Sequence, residues 1–135
     1  MNRKGSLMIS QVTQDVKVSV EALYQPEYSD PESAHFMFAY RITIENQGTD
    51  VLQLLRRHWD IFDAIGEYKK VDGEGVVGEQ PVLKPGEIHQ YASGCNLKSE
   101  MGFMEGFYQM QNLQRDKTFE VRIPRFNLMA NFRLN

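Results

Sequence analysis

The chain reads as all-β, an immunoglobulin-like or fibronectin type III-like antiparallel sandwich of seven or more strands. Two observations predict this. Apolar residues alternate with polar ones at period two in several segments, and turn signals recur along the whole length with no long amphipathic helical stripe between them. The connections are too short for crossover helices, so the pairing is mostly antiparallel.

Phe36, Phe38, Tyr40, Ile42 and Ile44 alternate with Met37, Ala39, Arg41, Thr43 and Glu45, which makes a strand with one buried and one wetter face. Val16, Val18 and Val20 give an earlier strand ending near Tyr24, and Gln25–Ser33, with Pro26 and Pro31, is a loop. Asn46–Asp50 is the turn after the Phe36 strand. Val51–Phe62 is read as a strand, with a bulge near Arg56-Arg57 to reconcile the apolar positions on either side. Ala64–Glu67 closes a hairpin into Tyr68–Val71. Near the C-terminus, Met104, Gly106, Tyr108 and Met110 share one face, as do Phe119, Val121 and Ile123.

The chain has 135 residues, enough for one domain with its own core. Residues 1–10 are expected to be a frayed terminus and 11–135 a single domain. A net charge of -3 gives no reason to expect nucleic acid or an anionic membrane as a partner. The lone Cys95 fits a reducing compartment, and no signal peptide or membrane-spanning run is evident, so the expected location is the cytoplasm.

Gly73-x-Gly75-x-x-Gly78 has the spacing of a dinucleotide-binding loop, in which the pyrophosphate rests on the N-terminus of a following helix. Pro81 and Pro85-Gly86 follow instead, and these stop helices. The competing readings are a backbone nest for phosphate and a glycine-rich hairpin and bulge. Arg56 and Arg57 could clamp a phosphate beside Trp59, yet adjacent strand residues face opposite ways, and Trp59 reads as a core plug.

His35, His58 and His89 are far apart in sequence, so no metal site is expected from them. The Met101–Met110 run reads as strand core. Ser93 and Cys95 sit in no nucleophile elbow. Asp60, Asp63, Glu67, Asp72 and Glu74 read as solvated hairpin charges. No enzyme site and no cofactor are expected.

Several blocks together resemble the bacterial ApaG family. They are Phe36-x-Phe38-Ala39-Tyr40-x-Ile42-x-Ile44-x-Asn46, Gln53-Leu54-Leu55-x-Arg57-His58-Trp59-x-Ile61, and Gly73-x-Gly75-Val76-Val77-Gly78-x-Gln80-Pro81. Pro85-Gly86-Glu87, Tyr91-x-Ser93-Gly94 and Gly102-x-Met104-x-Gly106-x-Tyr108-x-Met110 complete the set, from about Val16 to Phe126. The resemblance implies a fibronectin-like sandwich in the cytoplasm. It also implies a tie to cobalt and magnesium tolerance, a gene neighbour encoding a diadenosine tetraphosphate hydrolase, and recurrence within F-box and DNA-polymerase-interacting proteins. No catalytic residues carry over. Gly73, Gly75 and Gly78 fill the positions of the family's suggested pyrophosphate site.

The leading expectation is a non-enzymatic module that binds another protein through loops or a sheet edge, as a monomer or weak homo-oligomer. The alternative is a nucleotide or pyrophosphate binder, with or without a divalent ion, using Gly73, Gly75, Gly78 and Arg56 or Arg57.

Overall fold

The computed structural model describes residues 7–130. Nine strands run through them: β1 (Leu7–Thr13), β2 (Val16–Tyr24), β3 (Phe36–Asn46), β4 (Leu52–Asp63), β5 (Glu67–Glu74), β6 (Val82–Leu83), β7 (Ile88–Leu97), β8 (Met101–Asn112) and β9 (Lys117–Met129). No α-helix occurs among the described residues. The loop expected after Tyr24 connects β2 to β3 and contains single 3₁₀ turns at Pro26–Tyr28 and Pro31–Ser33, each opened by a proline whose missing N–H a first turn does not need.

One sheet has the order β1-β2-β3-β7 and the other β5-β4-β8-β9. All of the named pairs are antiparallel. The short β6 pairs with Leu52 and Gln53 of β4, whose opposite side holds β8, so β6 continues the β5 edge. The expected all-β sandwich is what forms. The frayed terminus expected over residues 1–10 is corrected for residues 7–10, which lie in β1 paired with β2; residues 1–6 lie outside the described residues. That edge strand leaves Met8 and Val12 exposed, so its sequence carries little inward pattern.

Alternation does most of the sorting. Phe36, Phe38, Tyr40, Ile42 and Ile44 are buried, as are Val16, Val18 and Val20 opposite them, and the two inner faces close into one cluster. The register of β4 against β8 shifts between Leu54 and Arg56, placing an extra residue, Leu55, in β4. Leu52 and Leu54 before it and Trp59 and Ile61 after it therefore all face the core. In β8, Gly106 lies directly opposite Trp59, and its missing side chain leaves room there: a Cβ would meet the His58 carbonyl oxygen at 1.9 Å.

The two flanks of the sandwich differ. On one, β1 and β2 pack against β9, and the Arg122 amide donates to Thr13 Oγ1 at 3.2 Å. On the other, β7 and β5 end their sheets.

Candidate functional site

The glycine segment sits on the β4 edge, opposite the bulge. The Leu55 carbonyl, freed by the extra residue, accepts from the Gly75 amide at 2.8 Å and from Gln80 Nε2 at 3.0 Å. Val76 and Glu79 then exchange two backbone hydrogen bonds, of 2.8 and 3.0 Å, around Val77 and Gly78. Both central residues have positive φ, 47° and 79°, as a type I′ turn requires. Val76 plugs the core, and the chain returns through Pro81, whose carbonyl accepts from the Leu54 amide at 3.0 Å. No helix follows Gly78.

Each glycine has a local reason. At Gly73 a Cβ would lie 2.8 Å from the guanidinium carbon of Arg57, its register partner, so the glycine admits the arginine. At Gly75, with φ of +62°, a Cβ would sit 2.2 Å from the Glu79 carbonyl oxygen. Gly78 supplies the second positive φ of the turn. Arg57 Nη1 donates to the carbonyls of Glu74 at 3.0 Å and Gly75 at 2.9 Å. The strand separates the arginine pair as parity demands, with Arg56 exposed and Arg57 half-buried over the loop. Arg57 is thus brought against Gly73 and Gly75 but not Gly78, with the arginine facing carbonyls and the Gly75, Val76 and Glu79 amides bonded within the protein. Arg57→Ala is expected to lower unfolding stability by about 1–2 kcal/mol, since it leaves the part-buried Gly75 carbonyl and the exposed Glu74 carbonyl without their charged donor. Urea denaturation measures this.

Beneath Arg57 lies a cluster of tyrosines that the sequence reading did not single out. The hydroxyls of Tyr91 and Tyr108 are hydrogen-bonded to each other, and the Tyr40 hydroxyl bonds Ser93. Burial pushes all three phenols upward, Arg57 pulling the other way. Their inward parity on β3, β7 and β8 was the available signal. Ser93 is occupied in this way. Cys95 is a buried free thiol, pushed up to about 11 by burial, which leaves little thiolate for nucleophilic chemistry at neutral pH.

The five acidic residues are divided by strand parity and hairpin position. Asp63 is buried and accepts from the Lys98 amide and Ser99 Oγ, both at 2.6 Å, tying the β4–β5 turn to the β7–β8 connection. Asp60 and Asp72 lie on the outer face around His58, whose ring nitrogens stand 3.2 and 2.8 Å from their carboxylates, while Lys70 meets Asp60 at 2.8 Å. Glu67 pairs with Lys98 at 3.4 Å. His58 stacks on Phe107 with centroids 4.9 Å apart. The fold brings neither His35 nor His89 to it, and among the described residues no three His, Cys, Asp or Glu side chains converge as a metal-binding group.

With a carboxylate at each nitrogen, His58 is held above the ordinary histidine range, first by its hydrogen bond to Asp72 and then by Asp60, against partial burial. A group raised on folding contributes stability in full below its unfolded value, about 6.5, and loses it as pH rises through the folded value. Melting temperature should therefore fall modestly across that window in the native protein, and less so in His58→Gln. A melting temperature that climbs there in the native protein alone contradicts this.

Among the described residues, the β7 strand, Ile88–Leu97, is an uncharged sheet edge with no further strand paired to it. Its ten residues contain no Asp, Glu, Lys, Arg or Pro. By contrast, β5 carries Glu67, Lys69, Lys70, Asp72 and Glu74 among eight residues, the usual guard against unwanted pairing. β1 is also uncharged but packs against β9. The Asn46 amide donates to the Glu87 carbonyl at 3.0 Å, which sets the phase of the β3–β7 ladder. Because backbone direction alternates, Tyr91, Ser93 and Cys95 bond toward β3. Gln90, Ala92, Gly94 and Asn96 turn their N–H and C=O groups to the open side, and all four are exposed.

Comparison with known proteins identifies the family. Residues 26–112 match the model of the ApaG domain (DUF525). Proteins described as "Protein ApaG" from Paramagnetospirillum magneticum and Rhodospirillum centenum are each 47% identical over 121 residues, covering 90% of this chain and 92% of each relative. The crystal structure of a Bordetella pertussis protein designated ApaA superposes with a TM-score of 0.82 at 40% identity, over 91% of this chain and 96% of that one. The chain belongs to the ApaG family.

Proposed function

We propose that the chain is a non-enzymatic protein-interaction module whose receptor is the open edge of β7. The observation that carries this reading is a ten-residue edge strand with no charge and no proline, in a fold that guards its β5 edge with five charges. A partner segment adds there as a further strand, held by main-chain hydrogen bonds to Gln90, Ala92, Gly94 and Asn96. We also read the strand order, with β2-β3-β7 facing β5-β4-β8-β9, as immunoglobulin-like or fibronectin type III-like. The compartment is read as the cytoplasm, where the free Cys95 thiol persists. The family's tie to cobalt and magnesium tolerance then runs through a partner.

The test is a selection of phage-displayed random twelve-residue peptides. The native protein should enrich binders, and Ala92→Pro, which removes an edge-facing N–H while sparing the ladder to β3, should not retain them. Equal retention by both proteins would count against the edge.

The second reading, a nucleotide or pyrophosphate site at Gly73, Gly75, Gly78, Arg56 and Arg57, draws support from the exposed Arg56 and the open space around Gly78. The inward engagement of Arg57 and the bonded loop amides weigh against it. In a thermal-shift panel of pyrophosphate, mono- and dinucleotides, Mg²⁺ and Co²⁺, no compound is expected to raise the melting temperature. A rise that vanishes in a folded Arg56→Ala variant would reverse the order of the two readings.

A further inference from the structure

We infer that the partner of the β7 edge is an extended segment bearing one large apolar side chain, received by a groove that crosses the outer face of the first sheet and opens at β7. This rests on the edge reading above and adds the chemistry of the occupant. The groove has a volume of about 230 Å³ and is lined by Leu23, Ala39 and Ala92, with Glu21 and Arg41 at its wall. Register explains its direction. Leu23, Ala39 and Gly94 stand side by side on β2, β3 and β7, and Glu21, Arg41 and Ala92 form the adjoining row. Each row thus ends in alanine or glycine at the edge strand.

At Gly94 a Cβ would meet only the Phe38 carbonyl oxygen at 3.3 Å and Met37 Sδ at 3.5 Å. The mouth of the groove therefore stays unfilled on the side where a new strand would lie. Directly opposed residues of paired strands point to the same face. A partner residue set against Ala92 or Gly94 consequently projects onto the outer face beside two of the smallest side chains in the protein, and leans over Ala39. Methyl and aliphatic surface on the floor favours an apolar occupant. Glu21 and Arg41 are cross-strand neighbours of opposite charge, so the wall offers no net charge to an ionic one. Free backbone groups and the small-residue rows meet at the same two residues, Ala92 and Gly94. That coincidence selects a peptide strand with an apolar anchor over a free small molecule.

The experiment uses the full chain and a synthetic peptide made from the strongest sequence in the phage selection. Three binding measurements by fluorescence anisotropy decide it: the peptide itself, the peptide with its shared apolar residue changed to alanine, and an N-methyl scan of the peptide backbone. Alanine at the anchor should weaken binding to the native protein at least tenfold. That ratio should collapse toward one in Ala39→Leu, which fills the floor without adding charge. N-methylation at alternate positions should abolish binding, reading the edge contact even if Ala92→Pro folds poorly. Binding that is lost on N-methylation but indifferent to the anchor overturns the groove and leaves the edge reading standing. Binding indifferent to both overturns the two together. A concentration-dependent dimer in sedimentation, abolished by Ala92→Pro, would assign the edge to a second copy of the chain and overturn the foreign segment.

Discussion

Gly75→Ala should lower unfolding stability by about 3 kcal/mol or more, while Gly78→Ala costs only about 1 kcal/mol, although both glycines belong to one motif and both have positive φ. The difference is spatial. At Gly75 the new Cβ would stand 2.2 Å from the backbone carbonyl oxygen of Glu79, and the residue is buried, so the β4 edge must shift to admit it. At Gly78 nothing lies within 4 Å, and only the left-handed backbone cost remains. The same turn already carries Val77 at φ of 47°, a β-branched residue in a region it rarely adopts, so some strain is stored there without a steric block. Urea denaturation of both variants measures the pair. Equal, small losses would mean that the loop is free to relax and that its packing role has been overstated.

Trp59→Ala should be as damaging, at about 3–5 kcal/mol, with the denaturant slope unchanged. The indole is 3% exposed and meets Tyr40 and Phe126 edge-on, at centroid distances of 5.5 and 5.9 Å. It stands opposite Gly106, so neither its cross-strand partner nor the rigid ladder beside it can collapse into the cavity. A loss under 1 kcal/mol would place the structural centre of the sandwich elsewhere.

The inner faces were legible because alternation is strict where one side of a strand is buried. Phe36 to Ile44 and Val16 to Val20 declared themselves that way. The bulge was legible too, since Leu52 and Leu54 have the wrong parity for Trp59 and Ile61; it lies at Leu55, one residue before the arginines. Pro81 and Pro85-Gly86 showed that no helix serves the glycine loop. What Arg57 does there was not legible, because its contact with Gly73 depends on the β4–β5 register. Nor was β7 apparent. Its Ser93, Gly94 and Asn96 dilute the strand pattern, and whether a strand ends its sheet is set by topology rather than by its own residues. The acidic cluster looked uniform in sequence and is divided by parity, with Asp63 turned inward to hold two connections and Asp60 and Asp72 turned outward to His58.

Residue-resolved amide hydrogen exchange along β7 tests the open edge most directly, before any partner is known. The amides of Tyr91, Ser93 and Cys95 should exchange slowly, and those of Gln90, Ala92, Gly94 and Asn96 quickly, at every protein concentration down to the most dilute. Uniform slow exchange along the strand in dilute solution would mean that the edge is already covered, and would contradict the proposed docking site.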